Sequence, residues 1–386
     1  MKICVATGTR AEYGLLKPLI DKINADENDD LQLLITGAHL SPEFGLTYRI
    51  IEQDGLKIDA KVEMLLSSDT PEGIVKSMGL GMIGFTDALK NLQPDLLIIL
   101  GDRYEMLALA CAALIFRIPV AHLHGGELTE GAYDDAIRHS ISKMSQLHFT
   151  STEEYRKRVI QLGESPEKVF NVGAIGLDNI VELPLLTQQE LALSLGIDFK
   201  NYNYLVTFHP ETLGDQSVQS QFQVLLDAID KQEDSFFIFT YANADTDGRV
   251  INKMIADYTA LNPDKAVAYV TMGQLRYLSA MKFSTAVVGN SSSGIIEAAS
   301  FKVPTINIGD RQKGRIQAES VINTAVELQE IETAFCKVKD QRFLKQLEEI
   351  VNPYGTGNSS AGIMQILKKI DIKSLQTKVF YNLKNE

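Results

Sequence analysis

The chain of 386 residues lacks several features that mark secreted, membrane-bound and nucleic-acid-binding proteins. Its three cysteines are far apart and include no C-x-x-C pair, so we expect neither a disulfide framework nor a cysteine-based zinc site. The longest uncharged apolar run, 107–116, is much shorter than the roughly 18–20 residues of a membrane span. The opening residues MKICVATGTR hold too short an apolar stretch for a signal peptide. We therefore expect a cytoplasmic protein without a membrane partner.

Positive charge is also scarce. There are 37 lysines and arginines against 50 acidic residues, which gives a formal net charge of −13. Nucleic acids and anionic membranes require a basic face, so neither is expected as a partner. A small anionic substrate needs only a local positive pocket and remains compatible. The densest basic cluster, 156–158, lies in a helical pattern beside two glutamates and is interpreted as a solvated helix face.

Length and periodicity together predict two α/β domains. At roughly 100–200 residues per domain, 386 residues suggest two. Short apolar runs alternate with amphipathic stretches, which predicts parallel sheets covered by helices on both faces. The predicted strands are 2–7, 31–36, 95–100 and 118–123 in the first half, and 204–208, 236–240, 266–270, 286–288 and 305–308 in the second.

The expected boundary between the domains lies near a linker at 183–187. We predict one Rossmann-like domain over 1–180 and another over 181–361, facing each other across a cleft. A final helix at about 362–386 is predicted to pack back on the first domain. Ligands of open parallel sheets bind beyond the carboxyl ends of the strands, so polar residues that follow the strands are candidates for function.

Two predicted helices bear on the fold. Apolar residues between 15 and 23 have helical spacing, and Pro18 is expected to limit how far upstream this helix starts. A second helix is predicted over about 72–92, and it contains a G-x-G-x-x-G pattern at 79–84. A dinucleotide-binding fingerprint follows a strand and opens a helix, so we expect no NAD site here.

The segment 289–294 is rich in glycine and serine and precedes a predicted helix. Backbone N–H groups at such a helix start can hold an anion, and Ser291 and Ser292 would add hydroxyl donors. A serine-capped turn is the alternative. Glu297 could accept from ribose hydroxyls or be a plain surface glutamate. Arg311 could neutralise a diphosphate or be a solvated loop charge.

The densest run of ionisable side chains lies at 122–139. It contains His122, His124, Glu127, Asp134, Asp135, Arg138 and His139. No H-E-x-x-H or deaminase signature is present in it, so we expect no metal. Acid–base chemistry is favoured, because a closed cleft raises the proton affinity of carboxylates and a nearby imidazole or arginine tunes it. Arg138 could reach a phosphate or pair with an acid.

His209 ends a predicted strand and is followed by Pro210. The proline restricts the backbone of His209 to an extended form. This would hold the imidazole at the carboxyl end of the sheet, and we expect it to be functional.

Seven segments, taken in order, resemble the UDP-N-acetylglucosamine 2-epimerase family. They are GTRAEY (8–13), GDR (101–103), HLHGGE (122–127), DDAIRH (134–139), HP (209–210), GNSSSG (289–294) and GDRQ (309–312). The resemblance covers nearly the whole chain and is closest to the bacterial hydrolysing branch that makes N-acetylmannosamine for sialic acid synthesis. It implies a glycosyltransferase-B-like fold with UDP bound by the second domain, no metal or other cofactor, and a homodimer or homotetramer.

The resemblance implies a two-step hydrolysis of a UDP-HexNAc substrate. The C2 proton leaves and UDP departs from C1, giving a 2-acetamidoglucal. Water then adds with the opposite configuration at C2. Asp102 and Asp134 carry over as acid–base residues, and His209 as a proton donor or partner of the leaving diphosphate. The residues that carry over for UDP binding are Arg10, Ser291, Ser292, Glu297 and Arg311. Further candidates for substrate binding are Arg103, Arg138 and Asn243.

One position departs from the family pattern. Many relatives have a glutamate, treated as catalytic, where this chain has His124, although a subset of hydrolysing bacterial members also has a histidine there. His124 could therefore transfer the proton itself, or Glu127 could supply the carboxylate. The identity of the C2 base stays open at this point.

Four rivals to this hypothesis remain. A close relative acts on a UDP-linked diacetamido trideoxyhexose in legionaminic acid synthesis. A non-hydrolysing epimerase would return UDP to the glucal. A glycosyltransferase of the same fold would need an acceptor before UDP appears. A regulator that binds nucleotide sugar without turnover is disfavoured by the many ionisable residues at strand ends.

Overall fold

A computed structural model describes residues 1–66, 68, 70–129, 133–210, 217–242 and 248–383. The chain forms two compact units. Unit 1 comprises Met1–Glu127, Asp134–Val181 and Tyr354–Glu386, and unit 2 comprises Leu128–Tyr133 and Glu182–Pro353. The chain re-enters unit 1 for the last time at Tyr354. The sequence predicts that the second domain continues to residue 361.

Each unit is built on one parallel sheet. The sheet of unit 1 has the order β3-β2-β1-β4-β5-β6-β7. Its strands are β1 (Lys2–Thr7), β2 (Asp30–Thr36), β3 (Ala60–Val62), β4 (Leu96–Leu100), β5 (Val120–Leu123), β6 (Leu147–Thr150) and β7 (Val169–Asn171). The sheet of unit 2 has the order β10-β9-β8-β11-β12-β13. Its strands are β8 (Tyr202–Thr207), β9 (Ser235–Thr240), β10 (Ala266–Tyr269), β11 (Ala286–Gly289), β12 (Thr305–Ile308) and β13 (Val321–Thr324).

Helices connect the strands in both units. In chain order they are α1 (Arg10–Asn24), α2 (Tyr48–Gln53), α3 (Pro71–Leu92), α4 (Tyr104–Phe116), α5 (Asp134–Met144), α6 (Glu153–Gln161), α7 (Asp178–Glu182), α8 (Gln188–Leu195), α9 (Val218–Asp230), α10 (Gly248–Leu261), α11 (Gly273–Phe283), α12 (Ser292–Ile296), α13 (Leu328–Lys337), α14 (Gln341–Leu347) and α15 (Ser359–Leu367). None of the helices in the described ranges is both long enough and apolar enough to cross a bilayer.

Strand β4 shows why the sequence folds as a sheet covered on both faces. All five of its residues are buried. Leu96, Ile98 and Leu100 pack in one core cluster, and Leu97 and Ile99 pack in another. Because successive side chains of a strand point to opposite faces, a continuous apolar run requires cover on both sides. The prediction of parallel α/β units is confirmed.

Helix α1 starts at Arg10, so the expectation that Pro18 limits its upstream start is wrong. A proline inside a helix cannot donate to the carbonyl four residues earlier, here that of Gly14. The side-chain amide of Asn179 donates to the Gly14 oxygen at 2.8 Å instead. The lost hydrogen bond is therefore replaced from outside the helix.

The chain returns to unit 1 through α15. The backbone N–H groups of Ser359 and Ser360 each donate to the buried carboxylate of Asp178 at 2.7 Å. These bonds satisfy two donors of the first helical turn and place a negative charge at the positive end of the helix. The helix ends at Leu367 and does not continue through the predicted range. Farther along the chain, the side chain of Lys378 donates to the carbonyls of Lys143 and Ser145.

Candidate active site

Two loops of unit 1 carry the acidic residues that the sequence singles out. Strands β4 and β5 are neighbours, and Leu100 pairs in register with Leu123. The loops that begin at Gly101 and His124 therefore leave the sheet side by side. This geometry brings Asp102 and His124 to the same edge of the sheet, as expected for parallel strands.

Arg138 connects these two loops. Its guanidinium is 3% exposed and forms an ion pair with Asp102 through Nη2. Nη1 donates to the carbonyl of His124 at 2.9 Å and lies 3.7 Å from Oε2 of Glu127. A planar guanidinium holds several acceptors in fixed directions. Arg138 therefore sets the position of Asp102 from the face of α5.

His124 and Glu127 form a buried pair whose geometry fixes the tautomer of the ring. The backbone N–H of Ile175 donates to Nε2 of His124 at 3.2 Å, and Nδ1 lies 3.0 Å from Oε1 of Glu127. A backbone N–H can only donate, so Nε2 accepts and the proton of the neutral ring sits on Nδ1, facing the carboxylate. Ser151 also donates to Oε1 of Glu127, at 2.7 Å. Both nitrogens of His124 are thus engaged within the protein.

His122 has a different role from His124 although the two are only two residues apart. Its ring is fully buried, with Nε2 at 2.7 Å from the carbonyl of Gly101 and Nδ1 at 3.0 Å from the hydroxyl of Ser142. Burial lowers the pKa of His122 to about 3, so the ring is neutral and ties the Gly101 loop to α5.

Asp134 and His139 both lie on α5. Asp134 is half-buried at the first residue of the helix, one turn before Arg138 and on the same side. His139 faces Asp135, with 3.5 Å between Nε2 and the carboxylate. Asp134 is therefore the member of this segment that the helix directs toward the Arg138 side.

Arg158 shows that the basic cluster at 156–158 is more than a solvated helix face. Its Nη1 donates to the carbonyl of Gly126 at 2.6 Å, and its side chain is only 23% exposed. The interpretation from sequence is wrong for this residue, because the loop after β5 turns back over α6. Arg158 thereby supports the loop that ends in Glu127.

The turn between β1 and α1 is occupied by a carboxyl group of the chain itself. Glu12 accepts from the backbone N–H groups of Gly8 and Thr9 at 2.7 and 3.1 Å. Glu105 lies against Gly8, where a Cβ would come within 2.6 Å of its Oε1, and pairs with Nε of Arg103 at 2.7 Å. Arg103 therefore has an internal ion pair. Arg10, the other arginine predicted to bind UDP here, is half-buried at the first residue of α1.

The carboxyl ends of β8, β11 and β12 meet in unit 2. Gly289 pairs with Thr207 with φ of +126°, and a Cβ on it would come within 2.0 Å of the Thr207 oxygen. Glycine is therefore required there, and Asn290 follows it directly. The amide of Asn290 bonds to both backbone groups of His209, whose side chain is buried.

Serine hydroxyls surround the start of α12. The side chain of Ser291 accepts from the backbone N–H of Ser293 at 3.4 Å, and Tyr277 donates to the hydroxyl of Ser293 at 2.9 Å. Ser292 is the first residue of the helix, and the buried Glu297 ends it. Small neutral donors are thus grouped at a strand end, which suits an anion.

Arg311 reaches the same strand ends from the loop after β12. Its Nη1 donates to the carbonyl of Asn290 at 3.2 Å, beside Gln312, which donates to the same oxygen at 2.8 Å. Asn243 lies outside the described residues. Among the residues described, no three histidine, cysteine, aspartate or glutamate side chains are grouped to hold a metal ion.

Comparison with known sequences identifies the family. The sequence profile of the UDP-N-acetylglucosamine 2-epimerase family matches residues 21–368. The chain belongs to this family. It is 46% identical over 342 residues to the GDP/UDP-N,N'-diacetylbacillosamine 2-epimerase (hydrolyzing) of Campylobacter jejuni, covering 89% of this chain and 88% of that one. It is 41% identical over 384 residues to the polysialic acid biosynthesis protein P7 of Escherichia coli, covering 99% and 97%.

A solved structure has the same fold. The UDP-GlcNAc 2-epimerase of Neisseria meningitidis, crystallised with UDP-GlcNAc, superposes with a TM-score of 0.80 over 96% of this chain and 100% of that one, at 21% identity. The family and the fold class that the seven sequence segments imply are confirmed.

Within this member of the epimerase family, the predicted site residues fall into two groups. One group is connected by hydrogen bonds or ion pairs in unit 1. It contains Asp102, His124, Glu127 and Arg138. The other contains His209 and Arg311, both joined to Asn290 in unit 2. Sequence reasoning missed Asn290 as an individual residue, although a lone amide directly after a strand was the available signal.

Proposed function

We propose that the chain is a hydrolysing 2-epimerase that acts on a UDP-linked 2,4-diacetamido-2,4,6-trideoxyhexose. It would release UDP and the free sugar with carbon 2 inverted. The observation that carries this proposal is the 46% identity to the C. jejuni protein, which is named as a hydrolysing diacetylbacillosamine 2-epimerase. The joined acid groups at the strand ends of unit 1 support a proton-transfer enzyme.

UDP-GlcNAc is the second candidate substrate, with N-acetylmannosamine as the product. It is favoured by the E. coli relative, which is named for polysialic acid biosynthesis and is 41% identical over 99% of this chain. The seven sequence segments also resemble the branch that makes N-acetylmannosamine. We rank the diacetamido sugar first because identity to the C. jejuni protein is higher, at 46% against 41%.

In the proposed first step, a carboxylate takes the C2 proton and the C1–O bond breaks. The bonding pair of C1–O leaves with UDP, and a C1=C2 double bond forms. We assign the base to Asp102, whose side chain is 19% exposed and held by Arg138. His124 is unsuited to this role because Ile175 and Glu127 engage both of its nitrogens. A positioned base of this kind contributes about 10²–10⁴-fold to a rate.

In the proposed second step, water adds across the double bond. The hydroxyl joins C1, and a proton reaches C2 from the face opposite to the one it left. Asp134 is the proposed proton donor and regains a proton from the attacking water. The proton that Asp102 took from C2 leaves to solvent together with UDP. The sum is UDP-sugar plus water giving the free 2-epimer and UDP.

Departure of UDP places negative charge on the diphosphate. Arg311 and the serines at the start of α12 are the proposed donors for it, and His209 is the proposed partner of the leaving oxygen. Fixed donors aimed at developing charge are usually the largest catalytic term. His124 and Glu127 are proposed to fix the loop that neighbours Asp102.

The proposal is tested by proton NMR of the purified protein in D₂O, with each UDP-sugar supplied separately. We expect free UDP and a 2-epimeric sugar deuterated at C2, formed faster from the diacetamido substrate. Faster turnover of UDP-GlcNAc would transfer the assignment to the second candidate. A UDP-linked epimer without free UDP would indicate a non-hydrolysing enzyme. Release of UDP only after an acceptor is added would indicate a glycosyltransferase.

A further inference from the structure

We propose that Asn290 is a positioning residue of the epimerase reaction, which fixes His209 through its side chain and Arg311 through its backbone. The inference rests on the proposed function, because that function gives His209 and Arg311 their roles. Asn290 itself is not proposed to touch the substrate.

The contact between Asn290 and His209 uses both polar ends of one amide. Oδ1 of Asn290 accepts from the backbone N–H of His209 at 2.7 Å, and Nδ2 donates to the His209 carbonyl at 2.8 Å. Asn290 is 0% exposed. Among side chains, only the neutral amides of asparagine and glutamine place a donor atom and a separate acceptor atom side by side, which suits this two-bond contact.

The amide extends the pairing of two strands beyond their last paired residues. The register of β8 and β11 ends at Thr207 and Gly289, where the backbone N–H of Asn290 donates to the Thr207 oxygen at 3.1 Å. Next to His209 stands Pro210, which has no N–H to offer a neighbouring strand. The side chain of Asn290 therefore takes the place of a peptide group and holds the backbone that carries the imidazole.

The backbone carbonyl of Asn290 accepts hydrogen bonds from the loop that follows β12. It accepts from Nη1 of Arg311 at 3.2 Å and from Nε2 of Gln312 at 2.8 Å. Gln312 is 0% exposed, so the carbonyl is approached by a buried neutral donor as well as by the guanidinium. One residue thus connects the loops that follow β8, β11 and β12.

A second amide at the opposite end of β8 provides a matched control. Asn203 accepts from the backbone N–H of Lys200 at 3.0 Å and donates to the Lys200 carbonyl at 2.7 Å. It is 5% exposed and lies near the amino end of the strand, away from the carboxyl ends. The same two-bond contact is therefore available at the opposite end of β8, so a matched variant can be made far along the strand from the proposed site.

The experiment compares Asn290→Asp with Asn203→Asp. An aspartate keeps the size and one acceptor but replaces the donor with an oxygen that faces a carbonyl. We expect Asn290→Asp to lower kcat by about 10-fold to 100-fold, as loss of one well-placed hydrogen bond does, with KM and the Kd for UDP within about threefold. Asn203→Asp should leave kcat and KM within about twofold even where it lowers Tm equally.

A double variant separates positioning from a general structural effect. If Asn290 acts through His209, the variant His209→Ala/Asn290→Asp should be no slower than His209→Ala alone by more than about twofold. Multiplied losses, or a kcat of Asn290→Asp within twofold of the wild type, would overturn the proposal. Asn290→Ser keeps a small hydroxyl and serves if the aspartate variant does not fold, with an intermediate loss expected.

A readout without turnover keeps the two proposals distinguishable. With ¹⁵N-labelled histidine, UDP should shift the His209 signals of the wild type and of Asn203→Asp, and this response should be lost in Asn290→Asp. An unchanged response in Asn290→Asp overturns the role of Asn290. Failure of the wild type to turn over either sugar, with the response pattern as expected, removes the proposed reaction and leaves the positioning role in place.

Discussion

The strand ends of the two units are built from different chemistry. Unit 1 joins charged side chains, such as Asp102, Arg138 and Glu127, over the ends of β4 and β5. Unit 2 joins neutral amides and hydroxyls around Asn290 and Ser293, with Arg311 added from the next loop. Coupled carboxylates suit proton transfer, whereas small neutral donors with an arginine suit a diphosphate.

The two units also differ at a helix that begins just after a strand, α1 in unit 1 and α12 in unit 2. In unit 1 the N-terminus of α1 is filled by the carboxyl group of Glu12, which accepts from the backbone N–H groups of Gly8 and Thr9. In unit 2 the start of α12 presents the hydroxyls of Ser291 and Ser293. Similar strand–turn–helix segments thus form one turn that is filled by a carboxyl group of the chain and one that is lined by hydroxyl donors.

The largest expected effect comes from removing the charge of Asp102. Asp102→Asn should lower kcat by about 100-fold or more, because a proton acceptor is lost, while the Kd for UDP stays within about twofold. Steady-state kinetics and calorimetry measure the two quantities. The control is Asp95→Asn at the other end of β4, where Asp95 accepts from the backbone N–H of Lys2 at 2.7 Å. Equal kcat in both variants would contradict the role assigned to unit 1.

Glu127→Gln tests whether the buried pair of His124 and Glu127 supports catalysis at the strand ends of unit 1. The variant keeps the shape of the side chain and weakens its bonds to His124 and Ser151. We expect kcat to fall by about 10-fold to 100-fold, the equivalent of a hydrogen bond to a charged group. The control is Glu164→Gln, since Glu164 is also buried beside a histidine, His148, at 3.0 Å.

Both glutamine variants should lose stability, which thermal unfolding measures. Only Glu127→Gln should lose activity, because Glu164 lies away from the loops after β4 and β5. A fall of kcat in Glu164→Gln as large as in Glu127→Gln would mean that burial, and not position, explains the effect.

Arg311→Ala tests the diphosphate-binding role proposed for the strand ends of unit 2. It removes the guanidinium that bonds to the carbonyl of Asn290, and we expect the Kd for UDP to rise about 10-fold. Calorimetric titration with UDP measures it. Arg342→Ala, at an exposed position on α14, should leave the Kd unchanged. An unchanged Kd for UDP in Arg311→Ala would exclude this residue from the proposed UDP site. It would also contradict the assignment of diphosphate binding to unit 2.

The sequence predicted strands where an apolar run coincides with burial on both faces of a sheet. Lys2–Thr7 and Thr305–Ile308 were predicted with their observed bounds. The strands β3, β6, β7 and β13 were missed; they are short, and polar side chains such as Lys61 and His148 interrupt their apolar runs. β6 also contains His148, whose hydrogen bond with Glu164 is invisible to a hydrophobicity pattern.

The site was predicted as far as strand ends determine it. Asp102 and His209 each lie two residues after the end of a strand, so their placement follows from the parallel sheet. The donor that fixes His124 is the backbone of Ile175, 51 residues away, which no side-chain pattern reveals. The contact of Arg158 with Gly126 depends on how a loop turns, and charge patterning alone suggested solvent.

The smallest expected effect concerns two capping boxes, one in each unit. Glu12 caps α1 from a buried position, and burial, reinforced by Glu105, raises its pKa to about 8 from an ordinary value near 4.5. Glu190 caps α8 in the same way from the surface, and hydrogen bonds from Thr187 lower its pKa. The pKa values of the two glutamates therefore shift in opposite directions, although both residues belong to the same capping motif.

A raised carboxyl pKa means that the folded state holds more protons than the unfolded chain between about pH 4.5 and 8. The stability contributed by Glu12 is thus present below pH 4.5 and is lost as the pH rises through 8. Glu12→Gln removes this titration, so its urea midpoint should fall less than that of the wild type between pH 5 and 9. The lowered pKa of Glu190 acts only at lower pH, so Glu190→Gln should follow the wild type over this range. If the midpoint of Glu12→Gln fell as steeply as that of the wild type, titration of Glu12 would not be the cause of the fall, and the raised pKa would be contradicted.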